Sequence, residues 1–340
     1  MPKRANFKYE EENAHELFAE LRRRGVTANN YNLDRANKLK DGSWTLFFNS
    51  TETDYNRLLI NSFKECRPAQ KLPIPKQSMS KKIIMVEPTL FYDVHLGLLS
   101  WAAETRHNYD LKIAVKNIKS IAKKIASKYA NKNVDYFLLT VGNDFFHIND
   151  DFYKTPTSGH NLEHDGRFMK IFDTGFQLYL DIIYTFASIA KVKIRLVPGN
   201  HDKLAGPLLC RILSEHFRSV KGVEIDGDLH LRKFEKYGNN IICLTHSDGV
   251  RLNDLNNLIM NECPYDTRGY NTEVHMGHRH HEAIKQMQTL DGQGHIVYRY
   301  MPTIVSKDLY HTLKGYSSGL LTHCYEWTKD DLTVIHRIRS

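Results

Sequence analysis

Five short stretches concentrate the residues that could do chemistry. They are Asp93-Val-His95-Leu-Gly97, Gly142-Asn143-Asp144-Phe-Phe-His147, Gly199-Asn200-His201-Asp202, His246 within Thr245–Asp248, and Gly277-His278-Arg279-His280. Carboxylates, imidazoles and amide oxygens are ligands for divalent ions, and imidazole also moves protons near neutral pH. In an extended segment residues i and i+2 point the same way, so Asp-x-His and His-x-His can each hold one ion. Asp144, just past a strand end, sits where one carboxylate can bridge two ions. His147, three residues on, faces either the same cleft or its own loop. His275 and His281 flank the last motif and read as bystanders.

Each stretch follows an apolar run that reads as a strand: Ile83–Val86, Val134–Val141, Val192–Val197, Asn240–Leu244 and Glu273–Met276. Open α/β sheets bind their ligands at the carboxyl ends of such strands. Helical periodicity is expected over Leu111–Tyr129, Phe168–Ile189 and Leu208–His216. The outer face of the first carries Lys116, Lys119, Lys123, Lys124 and Lys128, a solvated surface or a stripe beside a polyanion. Ile148–Arg167 is polar and long for a connection, as functional or mobile loops are. Ile296–Tyr300, Gly319–Thr322 and Leu332–Ile338 are expected to close the sheets.

The first 80 residues carry none of this chemistry. An amphipathic helix is expected over Asn13–Arg24, a strand over Ser43–Phe48 and a second helix over Thr51–Phe63. Arg67–Met79, with Pro68, Pro73 and Pro75, reads as an extended linker. The expected division is therefore 1–80, a packing extension or a module for binding nucleic acid, a protein partner or a second copy, and 81–340.

Composition bounds the class. The chain has 340 residues, 41% hydrophobic and 25% charged, as in globular proteins. No signal peptide is read at the N-terminus, and no apolar run would span a bilayer. The five cysteines form no Cys-x-x-Cys pair, which suits a reducing, cytoplasmic compartment. A net charge of +8 favours polyanionic partners.

In order, the stretches read Asp-x-His, Gly-x-Asp, Gly-Asn-His-Asp, His, Gly-His-x-His. This resembles the calcineurin-like metallophosphoesterase superfamily from about Lys82 onward. The resemblance implies a four-layer α/β/β/α sandwich with ligands on strand-end loops, here with a small N-terminal α+β extension. It implies that Asp93, His95 and His280 hold one divalent ion, that Asn200, His246 and His278 hold the other, and that Asp144 bridges them. His201 takes the place of the family's active-site histidine, which contacts phosphate or protonates the leaving oxygen. Mn²⁺ is the expected metal, with Fe or Zn²⁺ as alternatives. Asp93-Val-His-Leu-Gly97 and Gly142-Asn-Asp-Phe-Phe-His147 are most similar to the SbcD-type DNA repair nuclease branch, which makes His147 a further catalytic candidate. The layout is also similar to phosphoesterases of tailed phages. Asn143 stands where that branch has glycine, and little chain follows Gly-His-x-His for its DNA-capping domain. The expected activity is DNA exo- or endonuclease. A small-molecule phosphomonoesterase, a cyclic-nucleotide phosphodiesterase and a non-catalytic scaffold are the alternatives.

Overall fold

A computed structural model describes residues 8–9, 31–38, 44–50, 83–156, 159–288, 295–306 and 320–340. The chain divides into two compact units, Met1–Glu65 and Cys66–Ser340. In the first, β1 (Lys8–Tyr9), β2 (Tyr31–Lys38) and β3 (Trp44–Ser50) form an antiparallel sheet in the order β1-β3-β2. β3 covers most of the strand expected at Ser43–Phe48. The helices expected over Asn13–Arg24 and Thr51–Phe63, and the linker over Arg67–Met79, lie outside the described residues.

The second unit is α/β, with two mixed sheets. The six-stranded sheet contains β4 (Ile84–Pro88), β5 (Val134–Gly142), β6 (Lys191–Val197), β7 (Val223–Asp226), β13 (Thr322–Trp327) and β14 (Leu332–Ile338). Its order is β14-β13-β4-β5-β6-β7. β4 to β7 run parallel, and β13 and β14 add an antiparallel edge. The five-stranded sheet contains β8 (Arg232–Tyr237), β9 (Asn240–Thr245), β10 (Asn271–Met276), β11 (Ala283–Gln288) and β12 (His295–Tyr300). Its order is β11-β12-β10-β9-β8, with β9, β10 and β12 parallel and both edges antiparallel.

Strand alternation sorts the side chains into layers. Met85, Leu138 and Val197 of the larger sheet pack on Ile242 and Leu244 of the smaller, closed by Tyr325 and Trp327. On the far side of the larger sheet, Phe137 stacks on Phe186 at 4.6 Å and meets Tyr129 edge-on. These rings belong to α3 (Phe168–Ala187) and α2 (Leu111–Tyr129), which α4 (Ala205–Phe217) joins. α5 (Leu252–Glu262) covers the far side of the smaller sheet, setting Leu255 and Ile259 on Cys243, Val274, Met276 and Tyr298. The fifth described helix, α1 (Ala102–Thr105), is a single turn.

α2 spans the range that its periodicity predicts. The Asp110 side chain accepts the Ile113 N–H at 2.7 Å and caps its start. Ile118 and Ile121 are fully buried, each contributing about 1.5–3 kcal/mol, while its five outer lysines are exposed. The closing strand expected at Gly319–Thr322 begins instead at Thr322. Leu320 has a left-handed φ of 48°, which cannot continue a ladder. The four described cysteines are free. Among the described residues, no helix is long and apolar enough to cross a membrane.

Candidate metal centre

β4, β5, β6, β9 and β10 each run at their carboxyl end into a loop carrying one of the five stretches. Backbone hydrogen bonds fasten the loops together. The N–H of Asp93 donates to the Asn143 carbonyl and that of His95 to the Asp144 carbonyl, both at 3.0 Å. The N–H of Asn143 donates to Val197 at 2.6 Å and that of Gly277 to Thr245 at 3.3 Å. Two glycines permit this approach. A side chain at Gly199 would collide with the Asp144 carboxylate, and one at Gly277 with the side chains of Asn143 and Asp93. Asp202 is fully buried and accepts from the backbone N–H groups of Phe145, Phe146 and Gly199 at 3.0, 3.4 and 3.3 Å. It therefore ties the β5 loop to the β6 loop. Burial and then the neighbouring Asp144 charge push its pKa up to about 7.

Within this frame Asp93, His95 and His280 each bring one ligand atom to within 4.8 Å of the others, and so do Asp144, His246 and His278. Asn200 completes the second group. Its Oδ1 lies 2.8 Å from His246 Nε2 and 3.0 Å from His278 Nδ1. The two groups adjoin, since the His278 backbone N–H donates to both Asp93 carboxylate oxygens at 2.9 Å. His95 Nε2 and His280 Nε2 face one another at 3.0 Å, with room for one proton between two lone pairs. That convergence, together with two carboxylates and an amide oxygen, fits a cation site. The structure thus brings together all seven residues expected as ligands.

Electrostatics point the same way. Burial alone would lower the His246 pKa. The charge and hydrogen bond of Asp144, 3.1 Å from Nε2, with Asp93 and Asp248, outweigh it and raise the pKa to about 9. Asp144 is correspondingly held well below the usual carboxylate range: His246 and His201 overcome its burial. His278 is lowered, first by burial and then by His246. This pocket therefore favours positive charge at the point where Asp144, Asn200 and His246 Nε2 meet.

One expectation needs correction. Asp-x-His and His-x-His do not converge through extended geometry. Asp93, His95, His278 and His280 all have left-handed backbones, with φ of 47°, 46°, 75° and 55°. Asn143 and Asp144 do too, at 60° and 55°. Six of the ten described non-glycine residues with positive φ therefore lie in this centre. Such residues cost about 1–3 kcal/mol each and collect at functional sites.

His201 stands at the edge of both groups. Its backbone N–H donates to Asp144 Oδ1 at 2.7 Å, and its Nδ1–H donates to the His147 carbonyl at 2.9 Å. That bond fixes the proton on Nδ1 and leaves Nε2 as the atom for a substrate. His147 is buried, its Nδ1 3.2 Å from His95 Nδ1, and with His95 and His201 it forms a third close group. All three histidines line a cleft of about 800 Å³, together with Asp144, Asn200, His278 and His280.

The polar Ile148–Arg167 segment borders the same cleft through Thr155 and His160–Glu163. Its ends are anchored. Asn149 Oδ1 accepts from the backbone N–H groups of Leu204 and Ala205, and Asp165 accepts from that of Leu111. His275 turns away from the site, and His281 lines the cleft. Sequence reasoning gave no role to Asp202 or to the Asn143 side chain, whose Oδ1 accepts from His246 Nδ1 at 2.7 Å and points Nε2 at the centre. The signal for Asn143 was a polar residue where glycine would satisfy the turn. Comparison with protein-family models and with curated proteins found no match.

Proposed function

We propose that this protein is a dinuclear metal-dependent phosphodiesterase acting on nucleic acid, of the SbcD-like nuclease type. The carrying observation is the pair of adjoining donor groups, Asp93-His95-His280 and Asp144-Asn200-His246-His278, on one wall of a cleft that His201 also lines. Their mixed nitrogen and oxygen donors suit Mn²⁺, Fe or Zn²⁺ better than Mg²⁺, and Mn²⁺ is our choice. Asp144 is the proposed bridge, on its place at the end of β5 and on the resemblance; its carboxylate reaches the His246 group, and its backbone carbonyl accepts from His95 of the other group.

Two divalent ions would polarise the phosphoryl oxygens and provide a water nucleophile at neutral pH. The chain's own residues do the rest. Asn143 holds the His246 ring through Nδ1 and aims Nε2 at the centre, where a bound cation would take the place of the Nε2 proton. Asp202 keeps the loops of Asp144 and Asn200 in register. His201 presents Nε2 to the leaving oxygen and, as the imidazolium with its Nδ1–H still held by the His147 carbonyl, can give it the Nε2 proton, a contribution of about 10²–10⁴ in rate. His147, beside His95, helps to seat the substrate phosphate.

The test is a Mn²⁺-dependent panel on the full chain: single- and double-stranded DNA, RNA, bis-p-nitrophenyl phosphate and p-nitrophenyl phosphate. Cleavage of DNA and of the diester is expected. Efficient hydrolysis of p-nitrophenyl phosphate with no DNA cut would replace the nuclease reading by a phosphomonoesterase. No turnover on any substrate would favour the scaffold.

A further inference from the structure

Two arginines line the same cleft as the metal centre. Arg279 lies between His278 and His280, and its guanidinium sits 4.4 Å from the centre of the Tyr300 ring. Arg251 is the N-cap residue of α5 and also lines the cleft. Tyr300 belongs to the apolar cluster that α5 covers, through Leu252, Leu255 and Ile259. Both arginines therefore lie on the α5 side of the smaller sheet.

Four other described arginines are committed to carboxylates. Arg195, Arg232, Arg299 and Arg337 all pair with glutamates. Arg251 and Arg279 are exposed, and among the described residues no carboxylate forms an ion pair with either. Arg279 is braced on an aromatic face, which holds the guanidinium without consuming its five donors. Unpaired guanidiniums in the cleft of a centre built for one phosphate fit a second phosphate bidentately. Leu98 and Leu162 also line the cleft and give apolar surface to a sugar or base.

We propose that Arg251 and Arg279 bind the phosphate next to the scissile one, so that the centre acts on a strand with flanking phosphates rather than on an isolated phosphoester. This rests on the phosphodiesterase reading given above. This arginine wall sets KM and substrate choice, while the metal-centre residues set the chemistry.

Binding and turnover are tested separately on the full chain. Fluorescence anisotropy with a labelled single-stranded DNA 20-mer in EDTA reads the wall without catalysis. Arg251→Gln/Arg279→Gln should weaken binding about tenfold at 0.1 M salt and lower the log–log salt slope by about 0.7, the value for one lost phosphate contact on a single strand. Lys123→Gln, an equal loss of charge per site on the outer face of α2, should weaken it less than twofold. With Mn²⁺, the double variant should raise KM for the 20-mer at least tenfold more than KM for bis-p-nitrophenyl phosphate. Arg279→Lys should recover part of the affinity but less than the native fork. Equal weakening by Lys123→Gln, or an unaltered double variant, would overturn the wall. A wild type that binds the 20-mer through these arginines yet hydrolyses no diester would keep the wall and overturn the phosphodiesterase reading.

Discussion

Two buried polar clusters lie on opposite sides of Gly277, and they are built on opposite rules. Three residues before His278, His275 is enclosed between the sheets. Its Nδ1 meets Glu87 at 2.6 Å and its Nε2 meets Glu273 at 3.1 Å. Glu273 also takes Arg299, and Glu87 takes the Trp327 indole N–H at 3.1 Å. Every charge there faces its opposite. Burial would lower the His275 pKa, but Glu87 and Glu273 raise it to about 9. The centre beyond Gly277 instead sets ring nitrogen against ring nitrogen and gathers two carboxylates and an amide oxygen around one region. The first cluster is satisfied by its own members, and the second has the donors to hold a cation from outside. For His95 and His280, which face each other, and His275, which faces carboxylates, the sign of the partner separates the two clusters where burial does not. His246, set against Asp144, is marked instead by the amide oxygen of Asn200 that shares its Nε2.

The sharpest way to break the comparison is to remove charge from the open cluster. Asp144→Asn should cost several kcal/mol of charge stabilisation, about 10⁴-fold in turnover on a small diester, and reduce bound metal. Full dinuclear occupancy by elemental analysis with normal turnover would end the bridging assignment. His201→Ala should cost about 10³-fold and keep its metals. Metal loss in that variant would make His201 a ligand.

The closed cluster should answer in stability alone. His275→Gln leaves buried carboxylate charge uncompensated and should cost about 3–5 kcal/mol in urea unfolding. Its pH dependence has a definite sign. An imidazole at about 9 when folded and near 6.5 when unfolded contributes stability that is complete below pH 6.5 and is lost as pH rises through 9. Metal-free wild type should therefore lose stability over that window. His275→Gln should remove part of the slope and leave the part due to His246, which has the same raised value. An unchanged slope would show that His275 is neutral.

The smallest effect belongs to Asn143→Gly. Glycine accepts the left-handed backbone, so only the bond to His246 Nδ1 is lost. Metal affinity at the His246 group should fall about 10–100-fold by calorimetry, with melting temperature nearly unchanged. Equal affinity would mean that His246 is oriented by packing alone.

The sequence made strands legible where apolar residues run together, in β5 and β9, or alternate with polar ones, in β6. β8 was not legible because its inward residues, Lys233 and Glu235, are charged and find their partners only across the sandwich, on Asp226, Lys193 and Arg195. The exposed edge strand β11 and the asparagine-rich α5 show too little apolar pattern to announce themselves. The ligand types and their strand-end positions could be read directly. How they converge could not, because left-handed turns are imposed by hydrogen bonds between loops distant in sequence, such as Asp93 to Asn143. Asp202 was hidden for the same reason: its partners are backbone groups of another loop.

The six left-handed residues have a consequence for any attempt to evolve this protein. At Asp93, His95, Asp144, His278 and His280 a glycine would relieve backbone strain at the moment it deleted a ligand. A library selected for heat resistance alone would gather glycines at these positions and yield tougher, inert molecules. Selection would have to reward metal retention in every round, because backbone relief works against the ligands, although the two carboxylates, through the His278 and His201 N–H groups, also hold the loops together.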